Sequence, residues 1–178
     1  EAMHRRGVQH RDIKPDNIIL LEDENGGETV KLVDFGIAKA RDFLDGEHEF
    51  TLVQTQEDEF VGTPRYTAPE QAVGDPVGPA GDLFSLGLVT AEWMTGTPRI
   101  KNAGERGALS ILIQPEPIDI SDCPADWQPW FSRMVAKKPE ERYASVREAL
   151  EELPGIDDPD DWIEPPADDD DPTAPMRR

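Results

Sequence analysis

His10-Arg11-Asp12-Ile13-Lys14-Pro15-Asp16-Asn17, running into Ile18-Ile19-Leu20-Leu21, is the stretch from which the rest of the chain is read. It sets an acid, a base and an amide close together, ahead of an apolar run that reads as a short buried strand. An extended loop entering a strand can hold Asp12, Lys14 and Asn17 with their heads on one side. That trio suits phosphoryl transfer: a carboxylate accepts a hydroxyl proton, an ammonium neutralises phosphate charge, and an amide oxygen helps to hold Mg²⁺. Alone, a D-x-K-x-x-N pattern would read as a polar surface loop, so its context decides.

The context is an ordered set of further motifs. Asp34-Phe35-Gly36 follows a second apolar run, Val30-Lys31-Leu32-Val33; Gly62-Thr63-Pro64 and Ala68-Pro69-Glu70 come later. Agreement at about a dozen ordered positions, each at roughly one chance in twenty, is not accidental. Order and spacing resemble the signature of protein kinases: catalytic loop, metal-binding DFG, then A-P-E closing the activation segment. From Glu1 to Leu153 the chain resembles the C-terminal half of a Ser/Thr protein kinase, most like the bacterial eukaryotic-type enzymes.

The resemblance implies a mainly α (α+β) fold, a helical C-terminal lobe over residues 1–153 with a short β-hairpin carrying the catalytic and metal-binding loops. It implies transfer of the ATP γ-phosphoryl group to Ser or Thr hydroxyls of protein substrates, with Mg²⁺. Asp12 then deprotonates the hydroxyl, Lys14 contacts the γ-phosphate, and Asn17 and Asp34 hold the metal. Lys14-Pro15 fits the Ser/Thr class, and His10 supports the loop by packing and hydrogen bonding. Arg11 marks the type switched by phosphorylation, with Thr51 and Thr55 as the activation-segment sites, since a phosphothreonine can be captured by arginine. Thr63 bonds toward Asp12 and Lys14, Glu70 pairs with Arg142, and Asp82 anchors the backbone of the catalytic loop.

Local patterns fill in the rest. Residues 1–9 read as a helix end stopped at Gly7, with Arg5-Arg6 near the negative end of the dipole. Asn25-Gly26-Gly27 joins two strands, Ile18–Leu21 and Val30–Val33, into a hairpin. Asp82–Thr95 is apolar nearly all round, which predicts a helix buried on most sides and stopped at Gly96. Ile100–Gly107 reads as a surface linker and Ala108–Ile113 as a short apolar helix. Trp127, Trp130, Phe131, Met134 and Val135 recur at helical spacing; their pairing of tryptophans reads as packed core ahead of a ligand box. Ser145 and Glu148 form a capping box for the last helix.

Composition excludes several classes. The net charge of −20 argues against nucleic acid and against an anionic membrane surface. Cys123 is the only cysteine and His4, His10 and His48 have no zinc spacing, so neither a disulfide framework nor a zinc site is expected. No apolar run spans a bilayer and nothing resembles a signal peptide, which predicts a cytoplasmic setting. Residues 154–178, rich in Asp and Pro, read as a disordered, solvated tail. Within it Trp162-Ile163 is a candidate docking motif, and Met176-Arg177-Arg178 could flank a membrane anchor further on.

The sequence has no G-x-G-x-x-G and no V-A-I-K-like strand. The expectation is therefore a fragment without the N-terminal lobe, inactive alone, whose parent forms homodimers through that missing lobe. Two other readings stand beside it: a non-catalytic kinase-like interaction module, and a metal-dependent phosphohydrolase using Asp12 and Asp34. The second leaves Gly-Thr-Pro and A-P-E without a role.

Overall fold

A computed structural model of the chain describes residues 1–22, 27–34, 64–101 and 104–155. Six α-helices are present among these residues: α1 (Ala2–Arg5), α2 (Pro69–Ala72), α3 (Pro79–Thr95), α4 (Gly104–Ile113), α5 (Gln128–Met134) and α6 (Val146–Glu151). Two strands, β1 (Ile18–Glu22) and β2 (Glu28–Leu32), pair antiparallel with Ile18 opposite Leu32 and Glu22 opposite Glu28. None of the helices in the described residues is long and apolar enough to cross a membrane.

The body is built around α3. Pro79 occupies its first turn, where the missing N–H costs nothing. Gly96, at φ 67°, ends it in the left-handed conformation that glycine adopts without a Cβ clash, and its N–H reaches the Glu92 carbonyl at 2.7 Å. Nearly every side chain from Gly81 to Ala91 is buried. A Cβ on Gly87 would lie 2.8 Å from Met134 Cβ, so the absence of a side chain there lets α3 and α5 approach closely. Phe84, Leu88, Ile100, Leu112, Phe131, Met134 and Tyr143 fill the core around this contact. Trp130 and Phe131 meet edge to face at 5.2 Å, and the buried Trp130 Nε1–H donates to the Ala149 carbonyl at 2.7 Å. The tryptophan pattern is packing, and Cys123 belongs to the same core, its thiol pushed up by burial.

The ends of the smaller helices follow local chemistry. After α1, the Gly7 N–H bonds the His4 carbonyl and the Val8 N–H that of Met3, each at 3.0 Å, with Gly7 at φ 73°. At α6, Ser145 Oγ accepts from the Glu148 N–H at 3.1 Å, while the Glu148 carboxylate reaches back to the Ala144 N–H at 2.7 Å, one residue beyond the usual box.

The structure corrects four expectations. The β1 run is not buried: Ile19, Leu20 and Leu21 are exposed, as is Val30 on β2, because the two strands form a two-stranded ribbon. The last turn of α3 leaves Trp93 and Met94 exposed, so burial on most sides ends at Ala91. Ile100 is a core residue, 1 % exposed, and not the start of a surface linker. The helix expected at Ala108 begins at Gly104. Of the acidic tail only Pro154 and Gly155 are described.

Candidate active site

The loop 10–17 is held from below by one carboxylate. Asp82, in the first turn of α3 and 3 % exposed, accepts the His10 N–H at Oδ2 and the Arg11 N–H at Oδ1, both at 2.8 Å. His4 Nε2–H adds a third hydrogen bond to Oδ2 at 2.8 Å. Burial works to raise the Asp82 carboxyl, but the His4 bond and the two backbone donors outweigh it and hold it below its ordinary value of 3.8. With its lone pairs so committed, Asp82 serves as an anchor of backbone and not as a reacting group.

That anchoring sustains a strained turn. Arg11 stands at φ 62°, a left-handed conformation that non-glycine residues rarely adopt. His10, fully buried, donates from Nε2 to the Val33 carbonyl at 3.0 Å and so ties the loop to the end of the hairpin.

Asp12, Lys14 and Asn17 converge above this floor. Asn17 Nδ2 donates to the Asp12 carbonyl at 2.8 Å and to Asp12 Oδ2 at 3.0 Å. Lys14 Nζ lies 3.0 Å from the same Oδ2. A single turn, Pro15–Asn17, makes this possible, closed by the Asn17 N–H on the Lys14 carbonyl at 3.0 Å. Asn17 is buried, whereas the Asp12 and Lys14 side chains keep about a quarter and a fifth of their surface open. Asp12 and Lys14 thus keep part of their surface toward solvent while the amide bonded to Asp12 faces in. Arg11, Asp12, Ile13, Lys14, Tyr66 and Thr67 line a shallow cleft at this point.

Asp34 arrives from β2. The Val33 N–H donates to the Asn17 carbonyl at 3.0 Å, so Asp34 follows one residue after a backbone contact with Asn17. It is exposed and stands at φ 54°. Because Asn17 Nδ2 is committed to Asp12, its Oδ1 is the end left to act as a ligand. A carbonyl-type oxygen and a carboxylate are hard donors of the kind Mg²⁺ takes, with phosphate oxygens and water completing the shell. The described residues hold no group of three or more His, Cys, Asp or Glu placed to bind a metal.

Arg142 and Glu70 form a two-pronged ion pair, Nη1–Oε1 at 2.7 Å and Nη2–Oε2 at 2.8 Å, with both residues buried. The guanidinium also donates to the carbonyls of Ala80, Lys137 and Ala136 and lies 4.7 Å over the Phe84 ring. This pair locks α2 to α3 and to the turn Pro139–Glu141. Tyr66 donates its hydroxyl to Glu92 at 2.7 Å; burial first, then Glu92, push that hydroxyl well up, so it stays a donor. Thr51, Thr55 and Thr63 lie outside the described residues, as do Phe35 and Gly36.

Two side chains of the site carry no sequence signal. His4 reaches Asp82 across 78 residues, and Gln71 Nε2 donates to the Arg11 carbonyl at 2.9 Å across 60. Only the A-P-E motif next to Gln71 pointed to its neighbourhood.

Comparison with known proteins agrees with this geometry. Residues 1–152 match the family described as the protein kinase domain. The chain is 39 % identical over 150 residues to the serine/threonine-protein kinase Pkn1 of Myxococcus xanthus, covering 82 % of this chain and 21 % of that protein. It is 36 % identical over 152 residues to the probable serine/threonine-protein kinase PknB of Bifidobacterium longum, covering 82 % and 20 %. It is 36 % identical over 165 residues to the serine/threonine-protein kinase PknH of Mycobacterium tuberculosis, covering 90 % and 24 %. The chain spans between a fifth and a quarter of the length of these relatives. With the match running through the catalytic loop, the hairpin and the helical body alike, this chain belongs to the protein kinase domain family.

Proposed function

We propose that the protein carrying this chain transfers the γ-phosphoryl group of ATP to serine or threonine hydroxyls of proteins, with residues 1–153 as the C-terminal lobe of the kinase. The observation that carries the reading is the convergence of Asp12, Lys14 and Asn17 on one oxygen, Asp12 Oδ2, at 3.0 Å each from Lys14 and Asn17. Asp12 takes the proton of the substrate hydroxyl, and the Asn17 amide fixes the orientation of that carboxylate. Lys14 offers its ammonium to the transferred phosphoryl group. Asn17 and Asp34 would hold Mg²⁺, which when bound supplies charge neutralisation at the phosphates. Tyr66 and Thr67 on the other wall of the cleft face the incoming protein segment.

Arg11 captures phosphothreonine at Thr51 or Thr55, which orders the activation segment, and Thr63 bonds beside Asp12 on the substrate side. The setting is cytoplasmic, residues 154–178 form a solvated tail, and the kinase pairs as a homodimer. The 178 residues contain no glycine-rich loop and no V-A-x-K lysine to position ATP, so this chain by itself has negligible activity.

The test is transfer of labelled γ-phosphate to a Ser/Thr peptide. The whole protein transfers it, its Asp34→Asn variant loses at least about a hundredfold, and the isolated chain transfers none. Steady turnover by the isolated chain, or full activity of the Asp34→Asn protein, overturns the reading.

A further inference from the structure

The carbonyl of Arg11 belongs to the peptide that carries Asp12, so whatever fixes that carbonyl fixes the plane from which the Asp12 side chain departs. Arg11 is also the strained residue of the loop, at φ 62°. Its N–H side is tied to Asp82 Oδ1 at 2.8 Å. Its carbonyl side is tied to the Gln71 side-chain amide at 2.9 Å. Gln71 lies on α2, immediately after Glu70, and Glu70 is locked to Arg142 by two hydrogen bonds in a dry seam. The Arg142–Glu70 pair and the Gln71 bond to the peptide that presents Asp12 thus lie on adjacent residues of α2.

We propose that Gln71 is a positioning residue of the phosphoryl-transfer site, holding the Arg11 carbonyl and with it the orientation of Asp12. This rests on the kinase reading above. Asp82 ties the His10 and Arg11 amides on the N-terminal side of the strained residue, and Gln71 ties the peptide on its C-terminal side. Gln71 closes the second end, and it does so from the segment that follows the wall of the substrate cleft, Pro64–Ala68.

The experiment replaces Gln71 in the whole protein with Met, which keeps the length and loses the donor, and with Glu, which keeps the shape and turns an acceptor toward the Arg11 carbonyl. The expected order of kcat is Gln, then Met, then Glu, with a fall of about tenfold for Gln71→Met. KM for ATP and the thermal midpoint stay unchanged. A packing role predicts instead that Glu, equal in shape and helix propensity, behaves as Gln does; kcat for Gln71→Glu within twofold of the parent overturns the proposal. Hydrogen exchange at the His10 and Arg11 amides, whose bonds to Asp82 depend on the same turn, is read on the same proteins without reference to catalysis. Faster exchange in both variants supports the role of Gln71 even where the parent transfers no phosphate, a result that would count against the kinase reading alone; unchanged exchange in both overturns it.

Discussion

Two regions of the molecule grip carboxylates with arginine at nearly the same distances. Arg142 holds Glu70 at 2.7 and 2.8 Å beneath α2, and Arg133 holds Glu148 at 2.5 Å and Glu152 at 2.7 Å on the face shared by α5 and α6. The first arginine side chain is fully buried; the second keeps 37 % of its surface in water, and its partners Glu148 and Glu152 keep 36 % and 52 %. Geometry alone would rank Arg133 equal or better. Burial reverses the order, since removing one partner of a dry pair strands the other charge, while an exposed pair exchanges its contacts for water. The same division runs through the site: Asp82, His10 and Asn17 are buried, whereas of the groups proposed to act Asp12 and Lys14 are half-buried and Asp34 is exposed.

The largest effect expected from this contrast is at the seam. Arg142→Met leaves Glu70 buried without its partner and should lower stability by about 3–5 kcal/mol, whereas Arg133→Met should cost less than about 1 kcal/mol. Urea unfolding of both variants measures the difference, and equal losses would break the comparison.

Next comes Asp82→Asn, with an expected loss of about 2–3 kcal/mol near neutral pH, because the amide accepts at only one end and turns donors toward donors at the other. The Asp82 carboxyl is held below its ordinary 3.8 in the folded protein. Its contribution is therefore present above about pH 4 and lost as pH falls through the lowered folded value. Unfolding curves at pH 6 and pH 3 should show the gap between parent and variant shrinking at the lower pH; a gap that widens would contradict the assignment.

A smaller effect sharpens the packing side. Gly87→Ala places a methyl group 2.8 Å from Met134 Cβ and 3.0 Å from Val135 Cγ1, which should cost about 1–3 kcal/mol. Leu20→Ser on the exposed hairpin should stay within about 0.5 kcal/mol for the chain as described. Thermal unfolding of the two variants side by side tests whether the α3–α5 contact or the hairpin matters more to the body.

The meeting of Asp12, Lys14 and Asn17 was legible because these residues sit in one short run that leads into a strand. Glu70 and Arg142, 72 residues apart, came only through resemblance, since nothing local in Lys138–Tyr143 distinguishes a buried arginine from a surface one. His4 and Gln71 were not legible at all, because a single side chain meeting a distant carboxylate or carbonyl leaves no period and no spacing. The hairpin was read correctly but its burial was not, since an apolar run fixes strand propensity while burial depends on a second layer that the run does not encode. Ile100 failed likewise, as one anchoring side chain in an aperiodic segment carries no pattern.

The central claim is that the outward carboxylate of Asp12 acts on a hydroxyl while the buried one of Asp82 only holds the loop. Single-turnover transfer of labelled γ-phosphate from Mg-ATP by the whole protein, beside Asp12→Asn at matched folded fraction, tests it most directly. The account predicts a fall of about a hundredfold or more in the transfer rate, with the unfolding midpoint unchanged. Transfer at the parent rate by a folded Asp12→Asn protein would contradict it.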